Sequence, residues 1–382
     1  MKILIVTSGY PTEKYPLTGI FTYDQAKALQ TYGHEVIIAS IDLRSIRRWR
    51  RWGKYTFKRD NITIYNYSFP LGAFPFWVLS CFGKRLLKSL FKDIVRQEGF
   101  PDIIHSHFFS SAYITIPLKE KYNIPFVITE HSSSLNQKAV DKTILDYAEK
   151  AYLKADKVLA VSSILSNNVE KLFGVKATVV PNIVDLSSIH KKKKIELKEG
   201  EEHVFTLISI GRLFKRKGFD LLIEALSALE GKKYKLLIIG DGEEKNNLIK
   251  QINNANLQDH VFLLGLKKRT EIADYLNKSD VFVLASHVET FGVVYIEAMA
   301  AGLPVIATAC GGPEDFVNER NGILIPPNNA DELKKALIKM YNTYQNYDND
   351  AISEECARKF SPHSIATQLT EIYSDLLKIK DV

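Results

Sequence analysis

Short apolar runs alternate with longer amphipathic segments along nearly the whole chain of 382 residues. A short run rich in β-branched side chains predicts a buried strand, and regular alternation with helices is typical of parallel sheets. The predicted strands of the first half are Ile3–Val6, Glu35–Ser40, Ile103–His107, Pro125–Glu130, Lys157–Val161 and Thr178–Val180. Those of the second half are Val204–Ile210, Lys235–Ile239, Val261–Leu264, Val281–Ala285, Val305–Ala307 and Ile323–Ile325.

A polar stretch without an apolar run separates the two halves and contains four consecutive lysines, Lys191–Lys194. Such a run is more typical of a solvated linker than of a nucleic-acid patch. We therefore predict two α/β domains with doubly wound parallel sheets, joined by a linker and followed by a helix that starts at Ser361-Pro362. Their bounds are 1–185, 186–202, 203–360 and 361–382.

Composition places the chain among soluble globular proteins, with 46% hydrophobic and 25% charged residues. Its three cysteines are scattered, which favours a reducing compartment over a disulfide framework. The apolar run at the N-terminus, Ile3–Val6, is too short for a signal peptide, and Pro75 interrupts the longest run. We expect a cytoplasmic protein, or one attached to a membrane from the cytoplasmic side.

Two glutamates flank a predicted strand-to-helix turn in the sequence ETFGVVYIE, which spans Glu289 to Glu297. Glu289 follows a buried strand, at the edge where open α/β sheets bind ligands. The amides of Phe291, Gly292 and Val293 would point from the helix N-terminus at an anion. Taken alone, the spacing fits equally well a ligand site and a structural arrangement in which Glu289 is a helix-dipole partner and Glu297 a solvated helix residue.

The longer string ETFGVVYIEAMAAGLPVIATACGGPEDFV resembles the signature of the retaining glycosyltransferases of family 4. That family has the GT-B architecture, in which two Rossmann-like domains face each other across a cleft. The resemblance implies transfer of a hexose or N-acetylhexosamine from a nucleotide diphosphate sugar, with UDP expected rather than GDP. It assigns the donor sugar to Glu289, Phe291 and Gly292, the ribose to Glu297, and part of the diphosphate to Gly292 and Val293.

Further loops of the second half carry the same resemblance. In the string GRLFKRKG, Arg212 and Lys217 match the diphosphate-binding cations, which would stabilise a departing nucleotide diphosphate. The loop with Gly265, Leu266 and Lys267 corresponds to the one that meets the base. The alternative for Arg212 and Lys217 is that they are solvated loop charges.

In the first half, Gly19 resembles the family's glycine-rich loop and is expected near the diphosphate, although Thr18 stands where a second glycine is frequent. His131 ends a predicted strand in the string TEHSS and is expected to contact the donor sugar or the acceptor hydroxyl as a catalytic residue. A capped structural histidine is the alternative. For His105 and His107, a structural role is favoured over a metal pair, because no carboxylate or cysteine accompanies them. By resemblance, the C-terminal helix packs back on the first domain.

No Asp-x-Asp follows an apolar strand, and Walker, G-x-S-x-G and G-x-G-x-x-G motifs are absent from the sequence. We therefore expect no metal and no cofactor, the nucleotide sugar being a co-substrate. Glu289 is the single carboxylate identified near the sugar, which favours a front-face reaction over a two-carboxylate mechanism. The alternatives are an epimerase or a phosphorylase on the same fold, and a partner subunit without turnover.

One segment hints at the acceptor. The stretch Arg44–Arg59 has eight basic residues, no acidic residue and two tryptophans, a composition that suits an anionic membrane surface. The following helix, Phe82–Gln97, is amphipathic but more typical of a core helix. We predict a lipid-linked or cell-surface glycan acceptor and peripheral attachment to the inner membrane, with no role for nucleic acid. The residues predicted to meet the membrane are Arg44, Arg47, Arg48, Trp49, Arg50, Arg51 and Trp52.

Overall fold

The computed structural model describes residues 1–72, 74–136, 140–186 and 203–380. The chain divides into two compact units, unit 1 with Met1–Ile183 and Pro362–Val382, and unit 2 with Val184–Ser361. The predicted linker 186–202 lies outside the described residues from position 187 onward.

Unit 1 is built on an eight-stranded sheet with helices packed against it. The strands are β1 (Lys2–Thr7), β2 (Glu35–Asp42), β3 (Gly53–Arg59), β4 (Ile62–Ser68), β5 (Ile103–His107), β6 (Phe126–Glu130), β7 (Lys157–Ala160) and β8 (Ala177–Val179). Their order is β3-β4-β2-β1-β5-β6-β7-β8, and all neighbours are parallel except β3 and β4. The helices between the strands are α1 (Ile20–Thr31), α2 (Phe76–Glu98), α3 (Phe108–Tyr122), α4 (Lys142–Tyr152) and α5 (Ser163–Phe173).

The β3–β4 hairpin at the edge of this sheet is missing from the sequence-based prediction. Its turn consists of Asp60 and Asn61, both with positive φ, as a two-residue type I′ turn requires. Strand β4 is buried, whereas alternate residues of β3 face solvent, as is usual for an edge strand. Seven of the sixteen residues of the basic stretch Arg44–Arg59 therefore belong to an edge strand.

Unit 2 contains a fully parallel six-stranded sheet in the order β11-β10-β9-β12-β13-β14. Its strands are β9 (Phe205–Ile210), β10 (Tyr234–Ile239), β11 (Val261–Gly265), β12 (Val281–Leu284), β13 (Val305–Thr308) and β14 (Gly322–Ile325). Its helices are α6 (Phe219–Ala225), α7 (Lys245–Asn254), α8 (Arg269–Asn277), α9 (Val293–Ala300), α10 (Ala330–Thr343) and α11 (Asn349–Phe360). Every strand predicted from the sequence is present, and no strand end differs by more than two residues. Two Rossmann-like units confirm the predicted fold class.

The last helix, α12 (Pro362–Lys380), belongs to unit 1 although it follows unit 2 in the chain. It packs beside α1, and the buried Tyr373 hydroxyl lies 2.6 Å from Nδ1 of His105. Its apolar face joins the core that β1 and β2 form, with Ile365, Leu369 and Tyr373 fully buried. The chain thus returns to complete the core of unit 1.

Helix α2 is a core helix, as its amphipathic pattern favours. Leu87, Leu90, Phe91 and Ile94 are buried on one side, while basic residues line the other. Among the helices of the described ranges, none combines the length and the apolar composition that crossing a bilayer requires.

Candidate active site

The loops at the carboxyl ends of the unit 2 strands carry the predicted donor residues. Because neighbouring parallel strands end at one edge of the sheet, these loops lie side by side. Two of them are in close backbone contact: a Cβ on Gly240 would lie 1.8 Å from the Gly211 carbonyl oxygen, and one on Gly242 would lie 2.5 Å from that of Leu213. Glycines at 240 and 242 thereby let the loop after β10 pack against the loop after β9.

Glu289 lies in the loop after β12 and is only 7% exposed. Its Oε1 forms an ion pair with Nζ of Lys217 and accepts a hydrogen bond of 2.8 Å from the Ser286 hydroxyl. The Glu289 amide donates to the Cys310 carbonyl at 3.2 Å, and its own carbonyl accepts from the Gly312 amide at 3.1 Å. Both the main chain and the carboxylate of Glu289 are therefore held in place.

Lys217 reaches this carboxylate because its loop is pressed against the end of β12. Gly218 has a φ of 66°, and a Cβ there would lie 1.9 Å from the Ala285 carbonyl oxygen. The His287 amide also donates to the Arg216 carbonyl at 2.8 Å. Only glycine at 218 permits both the left-handed backbone and the close approach.

The N-terminus of α9 follows Glu289 directly. Gly292 is the N-cap with a φ of 94°, and a Cβ there would lie 2.7 Å from the ring of Tyr295. The ring of Phe291 is buried against those of Phe316 and Phe360, with centroids 5.3 and 5.8 Å away. The Phe291 side chain is thus turned into the core, which leaves only its main chain for the predicted sugar contact.

The remaining predicted donor residues of unit 2 are more exposed. Arg212 lies on the surface after β9, with its guanidinium 4.9 Å from the centroid of the Phe214 ring. Glu297 is partly exposed on α9. In the predicted base-side loop, Gly265 has a φ of 70° and Leu266 is 70% exposed. Nζ of Lys267 lies 3.8 Å from Oε1 of Glu271.

In unit 1, His131 follows β6 and is part of a stack of three histidine rings. Its Nε2 is 2.9 Å from Nδ1 of His107, whose ring in turn stacks on that of His105. Burial lowers the pKa of His131 to about 4 and holds the pKa of His107 well below its ordinary value. Both imidazoles are therefore neutral at pH 7, so His107 and His131 can share one hydrogen bond.

His105 has two buried partners, the hydroxyls of Tyr373 and Thr129 at 2.6 and 2.7 Å. Its role is structural, as the sequence favours. Within the ranges that the structure describes, no three His, Cys, Asp or Glu side chains converge as metal ligands would.

The turn that holds His131 is organised by a residue that sequence reasoning missed, Glu130. Its fully buried carboxylate accepts bonds from the amides of Phe109, His131 and Ser132 and from the Tyr152 hydroxyl, at 2.7–2.9 Å. Burial raises the pKa of this carboxyl group. An acidic residue inside the otherwise apolar strand FVITE was the available signal. A second missed residue is Ser286, which no motif identifies.

Gly19 is the N-cap of α1, with a φ of 63°. A Cβ at this position would lie 2.2 Å from the Gly9 carbonyl oxygen. The close approach of two backbone segments in unit 1 therefore accounts for glycine here, whatever its part in donor binding.

The predicted membrane stretch needs a correction at two of its seven residues. Arg44 and Arg50 both pair with Asp42, which is 2% exposed at the end of β2. A buried carboxylate requires a cation, and these two guanidinium groups supply it. Trp49 is 61% exposed and contacts Trp52 edge-on. Arg47, Arg48 and Arg51 also face solvent.

Comparisons with known proteins match both halves of the chain to family models. The chain matches the family described as glycosyl transferases group 1 over residues 189–355 and glycosyltransferase family 4 over residues 18–188. An uncharacterized glycosyltransferase of Methanocaldococcus jannaschii is 31% identical over 75% of this chain and 78% of its own. TuaC of Bacillus subtilis, named for a glycosyltransferase role in teichuronic acid biosynthesis, is 28% identical over 89% of each chain.

Two solved structures share the fold. Sucrose-phosphate synthase from Thermosynechococcus elongatus superimposes with a TM-score of 0.81 at 21% identity, covering 99% of this chain and 100% of that one. HepE of Anabaena, solved in complex with UDP, gives a TM-score of 0.76 at 21% identity over 98% and 100%.

Proposed function

Because the chain belongs to the group 1 glycosyltransferases, we propose that it transfers a hexose or N-acetylhexosamine from a UDP-sugar with retention of configuration. The acceptor is a lipid-linked or cell-surface glycan, and no metal takes part. One observation carries the proposal: the buried Glu289 carboxylate is held next to Lys217, directly before the N-terminus of α9.

The charges around this turn suit a donor that has both a diphosphate and a neutral sugar. The side chains of Lys217 and Arg212 are positively charged, and the amides that begin α9 carry a partial positive charge. These groups favour the two phosphates. Glu289 would repel a phosphate but can accept hydrogen bonds from sugar hydroxyls. The same carboxylate stabilises positive charge that develops at the anomeric carbon.

In the proposed reaction, the bond between the anomeric carbon and the diphosphate oxygen breaks first. The acceptor oxygen then bonds to that carbon on the face that the diphosphate leaves, and its proton passes to the released phosphate oxygen. Lys217 and Arg212 compensate the charge that grows on the leaving group. Glu289 orients the sugar and forms no covalent bond with it.

Solved structures and relatives support the proposed donor nucleotide and acceptor, and exposed side chains support the proposed membrane attachment. HepE was solved with UDP-glucose as well as with UDP, which favours a uridine donor. TuaC is named as a putative glycosyltransferase of teichuronic acid biosynthesis, which favours a glycan acceptor. The exposed Arg47, Trp49 and Arg51 favour peripheral attachment to the cytoplasmic face of the membrane.

A thermal-shift screen with UDP-, GDP- and ADP-sugars tests the proposal, since a ligand that binds only the folded state raises the melting temperature. We expect a shift with a UDP-sugar that persists in excess chelator. No shift with any nucleotide sugar, or a shift that the chelator abolishes, would contradict the proposal.

A further inference from the structure

A cavity of about 320 Å³ lies in unit 1, and none of the residues assigned to the donor lines it, although Thr18 of the loop before Gly19 does. Most of its wall is apolar, and Leu43, Phe76, Leu79 and Ile114 contribute to it. Ser8 directly follows β1 and Leu43 directly follows β2, so the cavity opens at the carboxyl edge of the sheet. Ligands of open α/β sheets bind at this edge.

Two arginines of one loop line the cavity and differ in their surroundings. Arg44 is neutralised: its Nε lies 2.9 Å from Asp42 Oδ1, and its Nη1 donates to the Thr18 hydroxyl at 3.1 Å. Arg48 is exposed, and no carboxylate of the described residues lies within ion-pair distance of it. Arg48 therefore adds an uncompensated positive charge to a cavity whose wall area is mostly apolar.

The loop that carries Arg48 packs against a second loop, which contains Gly72. A Cβ on Gly72 would lie 2.0 Å from the Ser45 amide nitrogen, so the segments around Gly72 and Ser45 are in backbone contact. The Arg48 amide also donates to the Ser45 carbonyl at 2.9 Å. These contacts hold the main chain of the loop from which the Arg48 side chain extends.

We propose that this cavity binds the acceptor through an anionic group next to an apolar portion, so that the acceptor is an amphipathic phosphate or related acid. The proposal rests on the proposed function and specifies its acceptor. Arg48 would hold the anion, and the walls at Phe76 and Leu79 would cover the apolar portion. Five hydroxyl side chains also line the cavity and can hydrogen-bond the polar end of such a molecule, namely Ser8, Thr18, Ser80, Ser110 and Ser111.

Calorimetric titration of the full chain with octyl phosphate, 1-octanol and inorganic phosphate tests this inference. We expect octyl phosphate to bind at least tenfold more tightly than either of the other two. Equal affinity for octyl phosphate and inorganic phosphate would overturn the apolar half of the proposal. Equal affinity for octyl phosphate and octanol would overturn the anionic half.

Arg48→Gln and Arg47→Gln form a matched pair, since both remove one exposed positive charge from the same loop but only Arg48 lines the cavity. Arg48→Gln should weaken octyl phosphate binding about tenfold, and Arg47→Gln by less than about twofold. Equal losses in the two variants would mean unspecific attraction and would overturn the assignment.

A parallel melting experiment with UDP separates this inference from the proposed function. If UDP raises the melting temperature of both variants and octyl phosphate does not bind, only the cavity assignment fails. If UDP has no effect on the unchanged chain, the proposed function itself fails.

Discussion

Lys217 and Glu289, separated by 71 residues in the sequence, form a nearly buried ion pair between Nζ and Oε1. In the donor complex that we propose, these side chains have different partners, the diphosphate for Lys217 and the sugar for Glu289. Before the donor binds, each of these two charges is therefore neutralised by the other. Binding would exchange one buried interaction for two, which keeps either charge from being left unpaired.

Glu289→Gln should lower the turnover number at least about a hundredfold, because the amide cannot stabilise positive charge at the anomeric carbon. Affinity for the UDP-sugar should change only a few-fold, since the amide still accepts hydrogen bonds. Steady-state kinetics and donor titration measure the two effects. Glu230→Gln, at an exposed turn before β10, is the matched control and should behave as the unchanged chain. A turnover number that Glu289→Gln leaves intact would remove the carboxylate from the mechanism.

Ser286→Ala removes the hydroxyl that donates to the Glu289 carboxylate at 2.8 Å. A buried hydrogen bond to a charged group contributes about 1.5–3 kcal/mol, so part of the positioning of Glu289 should be lost. We expect the turnover number to fall about tenfold while the KM for the donor stays within about twofold. If the turnover number and the KM changed by the same factor, or if neither changed, Ser286 would only fill space.

Most of the sheet arrangement follows from the sequence, because parallel strands that are buried on both faces appear as uninterrupted apolar runs. The strand-to-helix turn after Glu289 was also predicted, and in the structure Gly292 is the N-cap of α9. The β3–β4 hairpin was missed, since the basic and aromatic residues of β3 suggested a membrane contact. The turn residues Asp60 and Asn61 were the overlooked signal.

Side-chain partners far apart in sequence could not be predicted in this way. No pattern links Ser286 or Lys217 to the carboxylate of Glu289, because the contacts depend on how two loops pack. Asp42 lies just outside the acid-free stretch, and only its burial shows why Arg44 and Arg50 turn inward. Likewise, the hydrogen bond between His107 and His131 joins the carboxyl ends of two neighbouring strands.

Unit 1 should lose stability as the pH falls below 6.5. Burial lowers the pKa of His131 from 6.5 to about 4, so the unfolded chain binds more protons than the folded chain between these values. The stability is fully present above pH 6.5 and is lost progressively towards pH 4, by up to about 1.4 kcal/mol per pH unit for each proton. Urea unfolding of the full chain at pH 7.5, 6.0 and 5.0 measures how the free energy of unfolding depends on pH.

His131→Asn should reduce the dependence of the unfolding free energy on pH by up to the contribution of one proton, because one titrating group is removed. His363→Asn is a suitable control, since this histidine is exposed at the start of α12 and is not part of the histidine stack. Identical slopes in the unchanged chain and both variants would contradict the buried neutral state of His131.

Membrane attachment should depend on the exposed arginines of the loop after β2. Arg47→Gln/Arg51→Gln removes two charges that each contribute about 1 kcal/mol near an anionic surface, so vesicle binding should fall roughly thirtyfold. Sedimentation with vesicles that contain phosphatidylserine measures the loss. Lys250→Gln/Lys339→Gln removes two exposed charges from α7 and α10 and should leave binding unchanged. Equal losses would indicate attraction by net charge alone.

The most direct test compares UDP binding by the unchanged chain with that of Lys217→Met and Lys215→Met. Both lysines lie on the turn Lys215–Lys217, but Lys215 faces solvent and pairs with Asp220. Calorimetry should show at least about tenfold weaker UDP binding for Lys217→Met and an unchanged affinity for Lys215→Met. Unaltered UDP binding by Lys217→Met, in a variant that remains folded, would contradict the assignment of Lys217 and Glu289 to a nucleotide-sugar site.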